Sequence, residues 1–421
     1  MSEQNKKNVN SRVQRIVAIV LTAAFIPMVF GFGIYGLTSD FAEVVDSLRY
    51  HHARTYLANE EEENTKFFPM LKARIQSLQT ALGEMIPFAD ELGWLNASVQ
   101  YAIGKNMVVQ GPQQLLTLPG GQIYNMTERE SLEWEAREVV DFYNQVNGEI
   151  PFLFTYIHPQ FFADSPAMPA GYDVLDTGDE LADEVLGIVR EAGIPTMDSR
   201  DFFADCGFSD DELNYRTDMH WTTLAGLLAA QIYAKEINAL TGAELDLSRL
   251  DLENFETFVY EDFFLGEYGQ QIGAMNSGYD DIIGYLPTYE TNLTRYTIDR
   301  FGEEEQVSGK FADSMVKWNY LEPEADGHAL YAYAAFGLVE TLEQITNHGD
   351  CADMTILFFR DSYTAPVGTF LSLLVKNMVM VDMRYNDESA IELVQKYDPD
   401  IILFSHSRQM YEKHSYTLGV E

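Results

Sequence analysis

The chain has 421 residues, 46% of them hydrophobic, which is enough for one large or two modest domains with a sizeable core. Its formal net charge of −39 at pH 7 repels nucleic acid and anionic lipid, so neither is an expected partner of the acidic part of the chain. No stretch has the spacing of a calcium loop or of zinc ligands, and the sequence predicts no metal and no other cofactor.

Residues 1–39 have the pattern of a basic cytoplasmic start and a membrane anchor. Lysines and arginines precede an uncharged apolar run over 16–37, which at about 1.5 Å per residue spans a bilayer. Because acids follow the run, the sequence predicts one span of the cytoplasmic membrane, with the amino terminus inside and the rest outside. A cleaved signal peptide is the alternative, although its apolar core is usually only about 7–15 residues long.

Residues 40–100 are predicted to be a helical stalk or entry region, in which four consecutive glutamates over 60–63 interrupt the apolar periodicity. The two cysteines, Cys206 and Cys351, are far apart in the sequence. Outside the cytoplasm they could form one disulfide, but a chain with this hydrophobic content does not need a disulfide framework. A disulfide is therefore not predicted.

Residues 101–421 are predicted to form one α/β domain, because short apolar runs alternate with amphipathic stretches. The predicted strands are 107–109, 152–157, 195–197, 354–359, 378–382 and 401–404, and the predicted helices are 128–145, 179–192, 222–240 and 371–376. This alternation is typical of a layered fold with a mostly parallel sheet. Residues 251–345 are less regular and are predicted to be an insertion beside the functional site.

Ser362 follows an apolar predicted strand and precedes a turn that leads into a helix. A nucleophile at the carboxyl end of a central strand lies where α/β folds collect their active sites. The alternative is an ordinary serine that caps a helix. The preceding Asp361 is expected to accept hydrogen bonds that hold the turn rather than to act in a catalytic triad.

Asp218 and His220 lie two residues apart, just before a predicted helix. If this stretch is extended, both side chains point the same way, with Met219 on the other face. Asp218 could then orient the imidazole while the second ring nitrogen takes a proton from Ser362. The alternative is that Asp218 caps the following helix and His220 is a surface group, while Trp221 is a packing wall, with a sugar-stacking role left open.

Five residues are weaker candidates for binding a substrate: Arg360, Trp221, Tyr363, Arg384 and His158. His158 closes a predicted strand but has no acid next to it in the sequence, and His406 also follows a strand. Arg384 suits a substrate carboxylate, but an ion pair with Asp382 is the preferred interpretation.

Taken together, the motifs resemble a known family. An apolar anchor, Asp-x-His-Trp-Thr over 218–222 and Arg-Asp-Ser-Tyr over 360–363 occur in that order. With 157–159, 215–226, 264–269, 360–370 and 381–385, they resemble the membrane-anchored SGNH-like proteins of the alginate O-acetyltransferase group, especially the DHHW-motif proteins. The resemblance runs from about residue 104 to residue 403.

The resemblance implies an SGNH-hydrolase-like domain in which Ser362 is the nucleophile, His220 the base and Asp218 the orienting acid. It also implies a polysaccharide acceptor outside the cytoplasmic membrane and acetyl groups supplied by a multispanning membrane acyltransferase. The chain departs from the family pattern in two places. Met219 replaces the second histidine of the motif name, and Arg360 stands where SGNH proteins usually have glycine.

Three functions are compatible with these residues. The first is transfer of an acetyl group from Ser362 to a sugar hydroxyl. The second is hydrolysis of acetyl esters by the same residues, because pocket shape and water access select the acceptor. The third is a non-catalytic glycan-binding or assembly subunit, although such a protein would be expected to lose at least one of Asp218, His220 and Ser362.

Overall fold

A computed structural model describes residues 89–110, 113–118, 121–126, 131–146, 150–158, 178–324, 327–337, 340–386, 388–407 and 418. The predicted anchor over 1–39, the predicted stalk up to residue 88 and residues 128–130 of a predicted helix lie outside these ranges. Among the helices in these ranges, none is both long enough and apolar enough to cross a bilayer.

The chain divides into two compact units, Met1–Gly93 and Trp94–Glu421. Of the first unit, only residues 89–93 are described, and they begin a helix. The second unit contains the strands, the other helices and every residue predicted for the site.

The described strands form three sheets. The strands are β1 (Met107–Gln110), β2 (Gln113–Thr117), β3 (Ile123–Asn125), β4 (Phe152–Ile157), β5 (Thr196–Asp198), β6 (Phe255–Phe264), β7 (Asp280–Pro287), β8 (Leu293–Ile298), β9 (Glu304–Gly309), β10 (Leu342–Asn347), β11 (Ala352–Phe359), β12 (Val375–Val381) and β13 (Ile401–Ser407). Within the described part of the chain, the largest sheet has eight strands in the order β5-β4-β13-β11-β12-β10-β8-β9.

Two kinds of pairing occur in this largest sheet. From β5 to β12 all neighbours are parallel. From β12 to β9 all neighbours are antiparallel. The parallel part is apolar on both faces because helices cover both, which is why its strands read as uninterrupted hydrophobic runs. The predicted α/β fold with a mostly parallel sheet is confirmed.

Helices cover both faces of this sheet, and the described part of the chain contains ten α-helices in all. They are α1 (Ala89–Ala102), α2 (Glu133–Gln145), α3 (Gly178–Glu191), α4 (Asp210–Leu213), α5 (Thr223–Thr241), α6 (Glu267–Ile272), α7 (Ala274–Ser277), α8 (Phe311–Ser314), α9 (Ala365–Leu371) and α10 (Ala390–Tyr397). Short 3₁₀ helices are Ser199–Asp201, Leu247–Leu250, Leu252–Asn254, Trp318–Leu321 and Ala332–Phe336.

Alternate residues of each central strand bury opposite cores. In β11, Leu357 and Phe359 belong to the core beneath α2, α3 and α10. Ile356 and Phe358 belong to the core beneath α5 and α9. The result is a layered α/β/α arrangement.

The predicted insertion, 251–345, has two parts in the structure. β6 and β7 pair with each other in a separate two-stranded sheet. β8, β9 and β10 extend the main sheet beyond β12. Antiparallel strands joined by short turns can add to the edge of a parallel sheet without crossover helices.

One element was predicted incorrectly. A helix was expected over 371–376, but the helix α9 ends at Leu371 and β12 begins at Val375. Pro366 lies in the first turn of α9, a position that suits its fixed φ and missing N–H. Cys206 and Cys351 are both free thiols in this structure.

Candidate active site

Ser362 lies three residues beyond the end of β11, at the carboxyl edge of the parallel part of the sheet. Asp361 holds this turn, because one of its carboxylate oxygens accepts from the Tyr363 amide at 3.0 Å and the other from the Ser407 amide at 2.7 Å. The N-cap position of α9 is Thr364, so Ser362 is not the N-cap residue. Its side chain is partly exposed, with its hydroxyl turned toward His220.

Asp218 and His220 lie in the loop that joins α4 to α5. The stretch is not extended, which was the condition considered from the sequence, because the carboxylate of Asp218 accepts from the backbone N–H of His220 at 3.0 Å and closes a tight turn. Short side-chain carboxylates commonly form such turns with the amide two residues on. Thr222 caps α5 by accepting from the Ala225 amide, so the capping role considered for Asp218 belongs to Thr222.

The three predicted side chains form a continuous hydrogen-bonded chain. His220 Nδ1 lies 2.6 Å from Asp218 Oδ1, and His220 Nε2 lies 2.8 Å from Ser362 Oγ. The side chains of Asp218 and His220 are nearly inaccessible, at 3% and 7% exposed. A buried carboxylate at Nδ1 favours the tautomer whose Nε2 is free to accept a proton from the hydroxyl.

The charge of Asp218 is well supported. Burial alone would raise the pKa of this carboxyl, but the charge and hydrogen bonds of His220 and the Glu267 amide outweigh burial and lower the pKa below its ordinary value. The Glu267 amide donates to Asp218 Oδ2 at 2.9 Å. Asp218 is therefore an anion at neutral pH and is held from two sides.

Residues from two other segments, 266–269 and Asp280, hold the loop that contains Asp218. The Gly266 amide donates to Thr217 Oγ1, and the Gly269 amide donates to the Thr217 carbonyl, each at 2.8 Å. Asp280 accepts from the amides of Arg216 and Thr217 at 2.9 and 2.8 Å. Burial raises the pKa of Asp280, and these donors oppose that rise.

Gly266 has no room for a side chain. A Cβ there would lie 2.3 Å from Asp218 Cβ and 2.6 Å from the Thr217 carbonyl oxygen. We expect Gly266→Ala to lower the free energy of unfolding by about 1–3 kcal/mol, because these two backbone segments must separate. Denaturant unfolding measures this change.

Gly187 provides a matched control for Gly266→Ala. It lies within α3, and a Cβ there meets no atom within 4 Å. Gly187→Ala should therefore leave stability unchanged or raise it by up to about 1 kcal/mol, since alanine favours helix. Equal effects at the two positions would contradict the close contact between Gly266 and Asp218.

Aromatic rings enclose the imidazole. The ring of Tyr333 stacks on His220 with centroids 4.0 Å apart and planes 9° apart. Tyr363 lies 4.9 Å from the same imidazole at a tilt of 42°. Trp221 contacts Tyr363 and Phe203 edge-on and is 7% exposed, so it packs against these rings, while a sugar-stacking role stays a prediction.

The weaker candidates lie in different places. Arg360 is fully buried, donating to Glu343 at 3.1 Å and lying 3.5 Å from Asp382, so it does not reach a substrate in this structure. Arg384 forms a two-point ion pair with Asp382, the preferred interpretation, and retains 19% side-chain exposure.

His158 directly follows β4 and has no acidic residue next to it in the sequence. The structure supplies one from α3, because His158 Nε2 lies 3.3 Å from Asp179 Oδ1. Within the described part of the chain, no three His, Cys, Asp or Glu side chains are grouped to share a metal ion.

Sequence reasoning missed the parts of the site that come from 251–345. A backbone amide such as that of Glu267 has no residue-type signature, and neither does a stacked ring such as Tyr333. The glycines at 266 and 269 were part of the resemblance, and close backbone approach is a standard reason for glycine. Both contacts come from the segment that was predicted to lie beside the site.

A comparison with protein families matches residues 165–268 to an SGNH hydrolase-like domain described as acetyltransferase AlgX. The match includes Asp218 and His220 and ends before Ser362. No curated protein matches the chain.

Several solved structures share the fold, among them these two. A DHHW family protein from Eubacterium siraeum is 17% identical, with a TM-score of 0.54, covering 72% of this chain and 92% of its own. Bacillus cereus PatB1 with a sulfonyl adduct is 14% identical, with a TM-score of 0.56, covering 72% of this chain and 99% of its own. The family model and these folds confirm the resemblance inferred from the motifs.

Proposed function

We propose that this chain, similar to SGNH-hydrolase-like acetyltransferases, is an extracytoplasmic O-acetyltransferase that modifies a cell-surface or exported polysaccharide through an acyl-serine intermediate. The observation that carries the proposal is the chain of hydrogen bonds from Asp218 through His220 to Ser362. A serine hydroxyl is a weak nucleophile until an oriented base takes its proton, and this arrangement provides both the base and its orientation.

The reaction has two halves. In the first, Ser362 Oγ attacks the acetyl carbonyl of the donor while His220 Nε2 takes the hydroxyl proton. The imidazolium then gives that proton to the departing donor group, leaving an acetyl ester on Ser362. The carboxylate of Asp218, held by two backbone amides, stabilises the imidazolium.

In the second half, a sugar hydroxyl takes the place of the donor group. His220 Nε2 removes the proton from this hydroxyl as its oxygen attacks the acetyl-serine carbonyl. The acetyl group moves to the sugar, and Ser362 Oγ regains the proton. The Ser362 amide is the proposed donor to the oxyanion in both halves, since it lies at the turn beside the attacking oxygen.

The location and the partners are further parts of the proposal. The apolar run over 16–37 supports a single span of the cytoplasmic membrane with the described domain outside. A multispanning membrane acyltransferase would supply the acetyl group, because acetyl donors made in the cytoplasm must cross the bilayer. Arg384 is the candidate for contacting a polysaccharide, since its side chain remains partly exposed at the same edge as Ser362.

Acetyl transfer and hydrolysis are separated by the fate of the acetyl group. The full chain in detergent is incubated with an acetyl ester of a chromogenic alcohol, with and without oligosaccharide acceptors, and the products are identified by mass spectrometry. Acetylated sugar that depends on Ser362 supports the proposal, whereas free acetate alone indicates an esterase. If wild type and Ser362→Ala release equal amounts with several acyl donors, a glycan-binding subunit becomes the better account.

A sulfonyl fluoride should modify Ser362. Such reagents react with activated hydroxyls, and the Bacillus cereus PatB1 structure contains a sulfonyl adduct. We expect one adduct on the peptide that contains Ser362 and at least about 100-fold slower labelling in His220→Gln, which lacks the base. Peptide mass spectrometry measures both. Labelling of Ser362→Ala at the wild-type rate would argue against an activated serine.

A further inference from the structure

Tyr333 contributes an unexpected contact to the site. It lies in the 3₁₀ helix Ala332–Phe336, far in sequence from both His220 and Ser362. Its ring covers one face of the imidazole in a nearly parallel stack, with centroids 4.0 Å apart. Tyr363 occupies a second side at 4.9 Å, so the imidazole is enclosed between two aromatic rings.

The neighbours of Tyr333 permit this close approach. Ala332, Ala334 and Ala335 are small and buried, so the 3₁₀ helix can lie against the site. Phe336, in the same helix, packs on Phe370 and Phe258 in the core instead. Of the two large rings in this helix, Phe336 therefore packs in the core and Tyr333 packs on His220.

A stack of this geometry has two physical effects. It restricts rotation of the imidazole out of the plane that contains Asp218 and Ser362, because rotation would drive the ring into the neighbouring ring. It also places the electron-rich face of an aromatic ring against a group that becomes positively charged when it takes a proton. The second effect is specific to the charged state, so it favours the transition state over the resting state.

The phenol of Tyr333 is neutral at neutral pH, because its pKa is raised. Burial raises its pKa, and the negative charges of Asp218 and Glu267 raise it further. The ring stacked on the imidazole is therefore that of a neutral phenol, and Tyr333 is not a second anion that competes with Asp218.

We propose that Tyr333 is a positioning residue for His220, holding the imidazole in line between Asp218 and Ser362 and stabilising the imidazolium that forms when Ser362 loses its proton. The role in turnover rests on the proposed function, whereas the role in holding the ring does not. In this step the proton moves from Ser362 Oγ to His220 Nε2, and Tyr333 forms and breaks no bond.

The test compares Tyr333→Phe, which keeps the ring, with Tyr333→Leu, which removes it, in the full chain. The first readout is the rate of Ser362 acylation by a chromogenic acetyl ester. We expect Tyr333→Phe to remain within about threefold of wild type and Tyr333→Leu to fall at least about tenfold, consistent with the loss of a desolvated cation–π contact. Phe336→Leu, which disturbs the core of the same helix, should not reproduce this pattern.

The second readout does not depend on activity. The proton on His220 Nδ1, in a 2.6 Å hydrogen bond to Asp218, should give a far-downfield proton NMR signal. We expect this signal in wild type, Tyr333→Phe and Phe336→Leu, and its broadening or loss in Tyr333→Leu. Tyr333→Met serves as a second non-aromatic replacement if Tyr333→Leu does not fold.

The outcomes separate the two proposals. If Tyr333→Leu keeps both the signal and the acylation rate, or if Tyr333→Phe is as impaired as Tyr333→Leu, the stacked ring does not position His220. If every protein, including wild type, is inactive while the signal follows the expected pattern, the positioning role stands and the proposed function fails.

Discussion

Ser362→Ala and His220→Ala should each lower the rate of acetyl transfer by about 10⁵–10⁶-fold, and the double variant should be no slower than either single one. The reason is that the hydroxyl and the imidazole act as one unit, joined by the 2.8 Å hydrogen bond, so that losing either partner removes the contribution of both. Single-turnover rates against the uncatalysed background measure the effect.

Asp218→Asn should be milder, at about 10⁴-fold, because the amide keeps the shape of the side chain but favours the wrong imidazole tautomer. Asp179→Asn is the matched control, since it alters the other described histidine–carboxylate pair, His158 with Asp179. It should leave the rate within a few-fold of wild type. A double variant of Ser362 and His220 that is far slower than both single variants would mean that the two side chains contribute independently.

The largest effect on stability is expected at Arg360. Arg360→Met should lower the free energy of unfolding by about 3–5 kcal/mol, because it removes the cation that is hydrogen-bonded to the buried Glu343. Burial already raises the pKa of Glu343, with the arginine charge opposing that rise. Denaturant unfolding, with the midpoint and slope fitted separately, measures the loss.

Two further variants test whether the loss comes from breaking a buried ion pair. Arg360→Met combined with Glu343→Leu should recover most of it, since an apolar pair of similar volume often replaces a buried ion pair without cost. Arg137→Met breaks the exposed pair of Arg137 with Glu133 and should change stability by no more than about 0.5 kcal/mol. An Arg360 variant as mild as the Arg137 variant would contradict the burial of an uncompensated charge.

The sequence was a reliable guide to the central strands. Buried parallel strands are uninterrupted apolar runs. The runs over 152–157 and 354–359 have the length of a strand and are too short for a typical helix, so their assignment was clear. The run over 371–376 was ambiguous, because a short apolar stretch between two elements suits a helix end and a strand start equally well. The position of Pro366 was the available clue that the helix begins earlier.

The candidate site could be predicted only as residue types and spacing. The two-residue separation of Asp218 and His220 correctly predicted that they interact, but the tight turn that joins them depends on a hydrogen bond that spacing alone does not specify. Arg360 was a weaker candidate for binding a substrate, in the same Arg-Asp-Ser-Tyr stretch as Ser362. Its counter-charges are Glu343 in β10 and Asp382 just after β12, so its burial depends on which strands become neighbours in the sheet.

The order of the strands has a consequence for how the molecule is made. β13 is the last described strand in the sequence, yet it lies between β4 and β11, with Ile402 opposite Phe152. As the chain is synthesised from its amino terminus, β4 with β5 and β11 with β12 can pair early, but the two pairs stay separated until β13 is available to join them. Pairings between distant segments form slowly, and until then apolar strand edges remain uncovered. The position of Ser362 beside the strand that arrives last implies that a working site is among the final products of folding.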